Sequence, residues 1–538
     1  MSTALAGVRG GGPMTGTAPL LRASFRHDGR MFAPWILIAT ALSASSMIYP
    51  YIFNTEQERQ AFAAAIGANP AIGLIFGPAF DLTTTDGFNA WRSLALGGFL
   101  AALGAILMLT RATRAQEDSG QAELLASGVM GRSARLASAV AMCLVAELLL
   151  GLCAWLVTIA LGGGAANTAL LAATMTATGW MFTGIAAVTA QIGSEARTSN
   201  SLAVGALGTL FLARGVAYSL DAPAWMIWLN PLAWMTETKP NYQNTWWPLL
   251  LAVALTVALL AAASALQARR EFGAGAIAPK PGPARGADRS TWRLAVRINK
   301  GMMITWAVAF AVIGVVFGYM ATSVIDIFAD NPTVQTILAA GATSSEDLVS
   351  AFLVTLLSLV GILAAIPGVQ TLVKVRSEEM ADRVEPIMAT SSSRPRYYAS
   401  HTILALLAPS LYLLIAGTLI ASLASSADIG VRFGDALLQA VATIPAAWTV
   451  VAVSVAVVGA RPLVTLAAWV GVLASFGLTL LGHTFNLPDW ALAISPYWHI
   501  PNVAATNPDW TGLGWISLAT LGLLAIGFTG FRRRDLAV

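Results

Sequence analysis

The chain has 538 residues, 57% of them hydrophobic and only 11% charged, whereas a soluble domain carries about 25% charged residues. That much apolar surface cannot be hidden in one aqueous core, so composition excludes a soluble enzyme or binding domain and points to an integral membrane protein. The formal net charge of +4 is scattered over short loops. This pattern sets membrane orientation and is not a nucleic-acid surface.

In chain order, the first ~30 residues are polar, glycine-rich and basic, and no signal-peptide h-region follows them. Apolar runs then mark membrane helices at 31–53, 91–110, 136–162, 167–193, 201–220 and 246–267 in the first half. The second half gives 302–325, 348–370, 399–424, 434–460, 462–482 and 513–531. Placing the N-terminus in the cytoplasm and alternating puts most Lys and Arg on one side, so both termini are expected to be cytoplasmic.

Each half opens on a basic amphipathic stretch, LLRASFRHDGRMF at 20–32 and WRLAVRINKGMM at 292–303. Arg22 and Arg26 match Arg293 and Arg297, and both stretches are read as interfacial helices. An outer loop follows in each half, 54–90 and 326–347, each with an Asn-Pro pair. After the second span comes a charged island, RATRAQEDSGQAELLASGVMGR at 111–132. Its Arg114, Glu117, Glu123, Arg132 and Ser138 recur 262 positions later as Arg376, Glu379, Glu385, Arg394 and Ser400. Arg269, Arg270 and Glu271 recur as Arg533, Arg534 and Asp535, 264 positions on. Ordered matches in polar segments indicate a parallel duplication. The domain reading is a tail at 1–19, one membrane domain at 20–268, a flexible Gly/Pro/Ala linker at 269–291 and a second membrane domain at 292–538. Before each last span lies a loop rich in Trp, Pro and Asn, at 221–247 and 486–510. Short outer helices and a plain interfacial loop both fit that composition.

The islands are too short to fold alone, and their repeated charges are read as a docking surface for a partner rather than as solvated ion pairs. The chain has no G-x-x-x-x-G-K-[ST] phosphate loop and no H-E-x-x-H, and its four histidines are far apart. No metal site, catalytic constellation or cofactor of its own is therefore expected. Cys143 and Cys153 are ten residues apart on one predicted helix, about 15 Å, too far for a disulfide. Glu147 and Arg214 fall inside spans. As intramembrane charges they are candidates for an ion pair or a translocation pathway, with snorkelling the bland alternative for Arg214. Pro367, Pro409 and Pro445 fall inside second-half spans as candidate kinks.

The run R-x-x-R-x-x-E-x(5)-E-L-L-A-S after the second span of a six-span half resembles the coupling helix of ABC-2 type exporter permeases. The order of parts is similar too: elbow helix, two spans, coupling helix, three spans, outer loop, last span. The doubled length, the Gly/Pro linker, and NPLAW and ISPYWH before the last spans resemble actinobacterial polyketide-antibiotic exporter permeases of the tetronasin type and a mycobacterial multidrug exporter permease. This resemblance implies an all-α polytopic fold of twelve membrane helices in two tandem six-helix repeats. It implies a cell-membrane permease that exports hydrophobic or amphipathic compounds by alternating access. Two copies of a separate ABC ATPase, holding ATP and Mg, would grip Arg114, Glu117, Glu123, Arg132, Arg376, Glu379, Glu385 and Arg394. The second island departs from the pattern at Pro386, which follows Glu385 and is expected to break or skew that helix. An ion-gradient-driven twelve-helix transporter, a membrane enzyme and a non-transporting scaffold are the competing readings.

Overall fold

The structure is a computed structural model. It describes residues 12–67, 73, 75–126, 130–219, 222–271, 273–277, 290–322, 345–427, 430–481, 488–505 and 507–535. Twelve of its helices are long and apolar enough to cross a membrane, and no strand occurs among the described residues. The chain divides into two units, Met1–Gly282 and Pro283–Val538. The outer loop at 326–347 and His483 lie outside the described residues, apart from the start of a helix at Ser345.

In the first unit, α1 (Thr17–Asp28) passes through a 3-10 turn, Gly29–Phe32, into α2 (Ala33–Ser45). Pro34 sits in the first turn of α2, where a missing N–H costs nothing. The second span is α3 (Thr85–Thr110), extended by a π-turn at Arg111–Ala115 and a last turn at Gln116–Asp118. A short helix α4 (Gln121–Ala126) leads into α5 (Ala134–Ala160), followed by α6 (Ala165–Ile192), α7 (Ala196–Ser219) and α8 (Pro248–Arg269).

The second unit repeats this order. It holds α9 (Thr291–Thr322), α10 (Ser345–Met380), the short α11 (Glu385–Met388), α12 (Arg394–Ser426) and α13 (Phe433–Ala460). A 3-10 segment, Pro462–Trp469, runs into α14 (Val470–Leu481), and α15 (Thr511–Arg533) closes the unit. Pro367, Pro409 and Pro445 lie inside α10, α12 and α13 without ending them.

The same helices meet in both units. The fourth span, α6 or α13, packs on the second, third and sixth, and the first packs on the third. The central helices suit this place because their polar atoms are satisfied within the helix. Thr174, Thr178 and Thr183 of α6 donate to the carbonyls of Leu170, Thr174 and Gly179 at 2.8, 2.8 and 2.9 Å. Glycines then let backbones touch. A Cβ on Gly459 of α13 would stand 2.2 Å from the Gly527 carbonyl oxygen of α15, and one on Gly530 would stand 2.5 Å from the Ala460 Cα. Such small-residue contacts drive helix association in lipid, where apolar burial alone gives no gain.

Three expectations are corrected. The stretch at 292–303 is not a separate interfacial element: α9 is one continuous helix, with no breaker between Trp292 and Trp306 stronger than a single glycine. Only the first copy has a break, at Gly29, and Arg22, Arg26, Arg293 and Arg297 all lie on exposed faces. The second spans outrun the predicted 91–110 and 348–370, so the islands begin as helix rather than loop. The linker is not free from its start. Ile277 pairs with the backbone of Ile192, and Ser194 Oγ donates to the Ile277 carbonyl at 2.6 Å. The α13–α15 contact predicts that Gly459→Ala destabilises the protein by about 1–3 kcal/mol through overpacking, read as a lower melting temperature in detergent. Gly522→Ala, on α15 with nothing within 4 Å of its Cβ, should leave melting unchanged or slightly raised.

Candidate functional site

The island end of each unit carries a buried ion-pair clamp. In the first unit, the last turn of the α3 extension places Glu117 under three arginines. Arg114, Arg135 and Arg270 approach its carboxylate at 2.7, 3.2 and 3.1 Å. The Arg114 side chain is 1% exposed and that of Glu117 7%. Arg114 also donates to the Ala190 carbonyl near the C-terminus of α6 and, at 2.9 Å, to that of Ala274. Arg270 Nε donates to Gln191 Oε1 at 2.6 Å. Helix C-termini leave carbonyls without intrahelical partners, and the guanidinium fork satisfies several at once.

The second unit builds the same device. Glu379, its side chain fully buried, accepts from Arg534 at 2.6 and 2.9 Å and from Arg376 at 3.1 Å. Arg534 Nε donates to the Gly459 carbonyl at the end of α13 at 3.1 Å. The equivalent arginines complete the match. Arg132 Nη2 donates to the Arg270 carbonyl and Arg394 Nη1 to the Arg534 carbonyl, both at 2.9 Å. Each clamp thus ties the ends of the second, fourth and sixth spans to the approach of the third.

This corrects the expectation that all eight island residues present a docking surface. Arg114, Glu117, Arg376 and Glu379 are buried, because a carboxylate at the edge of an apolar bundle must be paired and hydrogen-bonded. Glu123 on α4, Arg132 and Glu385 on α11 are exposed, and Arg394 is half-buried. Pro386 does not break its helix. It stands in the first turn of α11, where proline is tolerated, although α11 is only four residues long against six in α4. The exposed Met380 lies beside α11 at the end of α10.

Glu147 and Arg214 are both buried but form no ion pair among the described residues. Glu147 lies midway along α5 against α6, where a Cβ on Gly179 would come within 2.3 Å of its Oε2. That oxygen has no hydrogen-bond partner among the described residues. Arg214 lies nearer the far end of α7, donates to the Ile75 carbonyl at 2.5 Å and stacks 4.7 Å from the Phe211 ring centroid. Its guanidinium is buried among these protein partners. Between α5, α6 and α8 an apolar groove of about 290 Å³ is walled by Trp155, Ala172, Trp180 and Val253. Both indole N–H groups already donate to backbone carbonyls at 3.0 Å.

At the opposite end, the Trp/Pro/Asn loops do form short helical turns, at Ala224–Trp228 and Pro231–Thr236 and at Asp489–Leu492 and Pro496–His499. Asn230 and Ser495 cap the turns that begin at Pro231 and Pro496. A polar network escaped the sequence reading. Asn241 donates to Asp81 at 2.9 Å, and Asn167 donates to Asn241 at 2.7 Å and to Asp86 at 3.2 Å. Burial pushes the Asp81 carboxyl up, but hydrogen bonds from Thr83 and Thr84 outweigh it and hold the group below its usual range. Among the described residues no group of three His, Cys, Asp or Glu side chains converges on a metal position, and both cysteines are free thiols.

Removing one partner of a buried pair leaves a bare charge and costs about 3–5 kcal/mol. Glu379→Ala should therefore lower the melting temperature sharply and reduce the folded yield. Glu385→Ala, five residues beyond the end of α10 and exposed, should stay within about 0.5 kcal/mol of wild type. Thermal unfolding of the two purified variants distinguishes a clamp from a surface cluster, and equal loss in both would contradict this assignment.

Residues 51–238 match the ABC-2 type transporter family, and residues 289–532 match the family described as multidrug efflux system permease Rv1217c, C-terminal domain. The multidrug efflux system permease protein Rv1217c of Mycobacterium tuberculosis is 33% identical over 537 residues, covering 98% of this chain and 96% of the relative. Full-length similarity at this level, over a twelve-helix all-α architecture, places the chain among the ABC-2 type permeases, as a multi-pass membrane protein of the family that includes this mycobacterial efflux permease.

Proposed function

We propose that this permease exports hydrophobic or amphipathic compounds across the cell membrane by alternating access, driven by ATP and Mg bound on two copies of a separate ABC ATPase. The observation that carries the proposal is the pairing, in each unit, of a buried ion-pair clamp with a short helix that carries an exposed glutamate, Glu123 on α4 and Glu385 on α11. A groove on a partner can grip α4 through Gln121 and Glu123, and α11 through Glu385 with Met380 beside it. Because Glu117 and Glu379 lock the preceding helix ends, a displacement of α4 or α11 carries those ends with it. In this reading Glu123 and Glu385 face the ATPase, while Arg114, Glu117, Arg376 and Glu379, with Arg132 and Arg394 on the Arg270 and Arg534 carbonyls, are positioning residues. The island end, which collects most of the basic residues, is cytoplasmic together with both termini.

The hydrophobic substrate class is supported by the apolar groove on the first unit, whose walls offer no unused indole donor. The efflux activity named for the mycobacterial relative supports the direction of transport.

Full-length protein co-purified in detergent with its cognate ABC ATPase tests this. The charge reversals Glu123→Arg and Glu385→Arg together should cut ATPase retention by about tenfold, a loss of roughly 1.4 kcal/mol, and abolish stimulation of hydrolysis by hydrophobic compounds. Melting should be unchanged, since both side chains are exposed. Wild-type retention of no ATPase, or full retention and stimulation by the double variant, would refute the docking assignment.

A further inference from the structure

The two clamps differ in one respect that holding a glutamate does not require. In the second unit two arginines on Glu379 suffice. The neighbouring positions there are Tyr397 and Phe531, both buried, with ring centroids 6.3 Å apart. Their equivalents in the first unit, at the same 262 and 264 offsets, are Arg135 and Gln267. Where the second copy has packed aromatic rings, the first has a cavity of about 380 Å³, lined by Glu117, Arg132, Arg135, Gln267, Arg270 and Glu271. That volume lies within the range of small-ligand sites.

The cavity suits an anion. Glu117 is already neutralised within the clamp, so the wall presents an excess of guanidinium charge. Among the described residues Arg132 donates through Nη2 to the Gln267 and Arg270 carbonyls, and the residue is exposed. The first turn of α5, which borders the cavity, carries no acidic residue, and its Ser133 makes no capping hydrogen bond. The Ser133 and Ala134 amides donate to the Pro13 and Gly131 carbonyls at 3.0 and 3.1 Å, so the positive charge at this wall is carried by the arginine forks, which match tetrahedral oxyanions. The cavity also sits where the apolar stretches of α5 and α8 end, at the level of lipid headgroups.

We propose that this first-unit cavity binds the phosphate group of an anionic phospholipid, at a place where the second unit holds the packed rings of Tyr397 and Phe531. Native mass spectrometry of the full-length protein in detergent, offered equal phosphatidylglycerol and phosphatidylcholine, tests this. Wild type should retain phosphatidylglycerol about tenfold over phosphatidylcholine, which carries the same phosphodiester but sets its choline cation against the arginines, a difference of roughly 1.4 kcal/mol. Arg132→Gln should bring the ratio near one. So should Gln267→Phe, which imports the second copy's residue and keeps every arginine. If Gln267→Phe melts early, Arg132→Gln alone decides. Equal retention of the two lipids by wild type, or a preference that survives Arg132→Gln, would overturn the proposal. Displacement of the lipid by millimolar inorganic phosphate would support a site that reads phosphate from either source. A lipid preference that resists phosphate would support the bilayer as its source.

Discussion

A carboxylate cannot be left unpaired at the edge of a hydrocarbon-embedded bundle, and both copies of this chain organise their island end around that constraint. Glu117 and Glu379 hold the arginines, the arginines hold helix-end carbonyls, and together they join the spans that pack around the central fourth helix. The clamp solves two problems at once. It compensates the charge of the glutamate, and it satisfies carbonyls that a helix C-terminus would otherwise leave without partners. Either problem alone could be met by water or by a neutral donor. Meeting both in one place needs a guanidinium, with five donors in a planar fork, which a lysine does not offer.

The duplication separates what the clamp needs from what each copy has added. Glutamate, the arginine three residues before it, the sixth-span arginine and the arginine that reaches its carbonyl are present twice. Arg135 and Gln267, against Tyr397 and Phe531, are not. The second copy is apolar and closed around its clamp, while the first is polar and open. The same contrast appears at the entrance to each unit, where the first copy breaks at Gly29 and the second runs as one helix from Thr291.

Spans, duplication and the island charges were legible in the sequence, because apolar runs of about 20 residues leave few alternatives in a membrane and polar matches survive where apolar ones blur. What the islands do was legible only in part. Arg114 and Glu117 read as a surface pair because they are adjacent on one helix, and nothing local says that the surface is covered. The cover comes from Arg270, more than 150 positions away. A signal did exist. Glu117 with Arg270 and Glu379 with Arg534 repeat as couples, and two repeated opposite charges at fixed separation point to contact. Glu147 and Arg214 misled for the converse reason. Placing two charges inside spans does not say which neighbour each side chain meets, and Arg214 found the Ile75 carbonyl instead of a carboxylate. The network of Asp81, Asn167 and Asn241 was invisible because it joins two loops and the first turn of α6 through single polar residues of unremarkable spacing.

The division of the islands into buried and exposed residues bears on how force could enter this fold. A helix end held only by apolar contacts can slide, since such contacts are non-directional and exchange readily with lipid. An end held by several charge-assisted hydrogen bonds has one geometry, so a push on α4 or α11 would move the second, fourth and sixth spans together or break the clamp. The first and fifth spans place no residue in the clamp; the first packs on the third, and in the first unit the start of the fifth is held to the island by Asp118, which accepts from the Ala196 N–H at 2.8 Å. On the ATP-driven reading, the clamp thus defines which helices of each unit move as one body. The exposed Glu123 and Glu385 then meet the partner, while Glu117 and Glu379 determine what the partner's motion reaches.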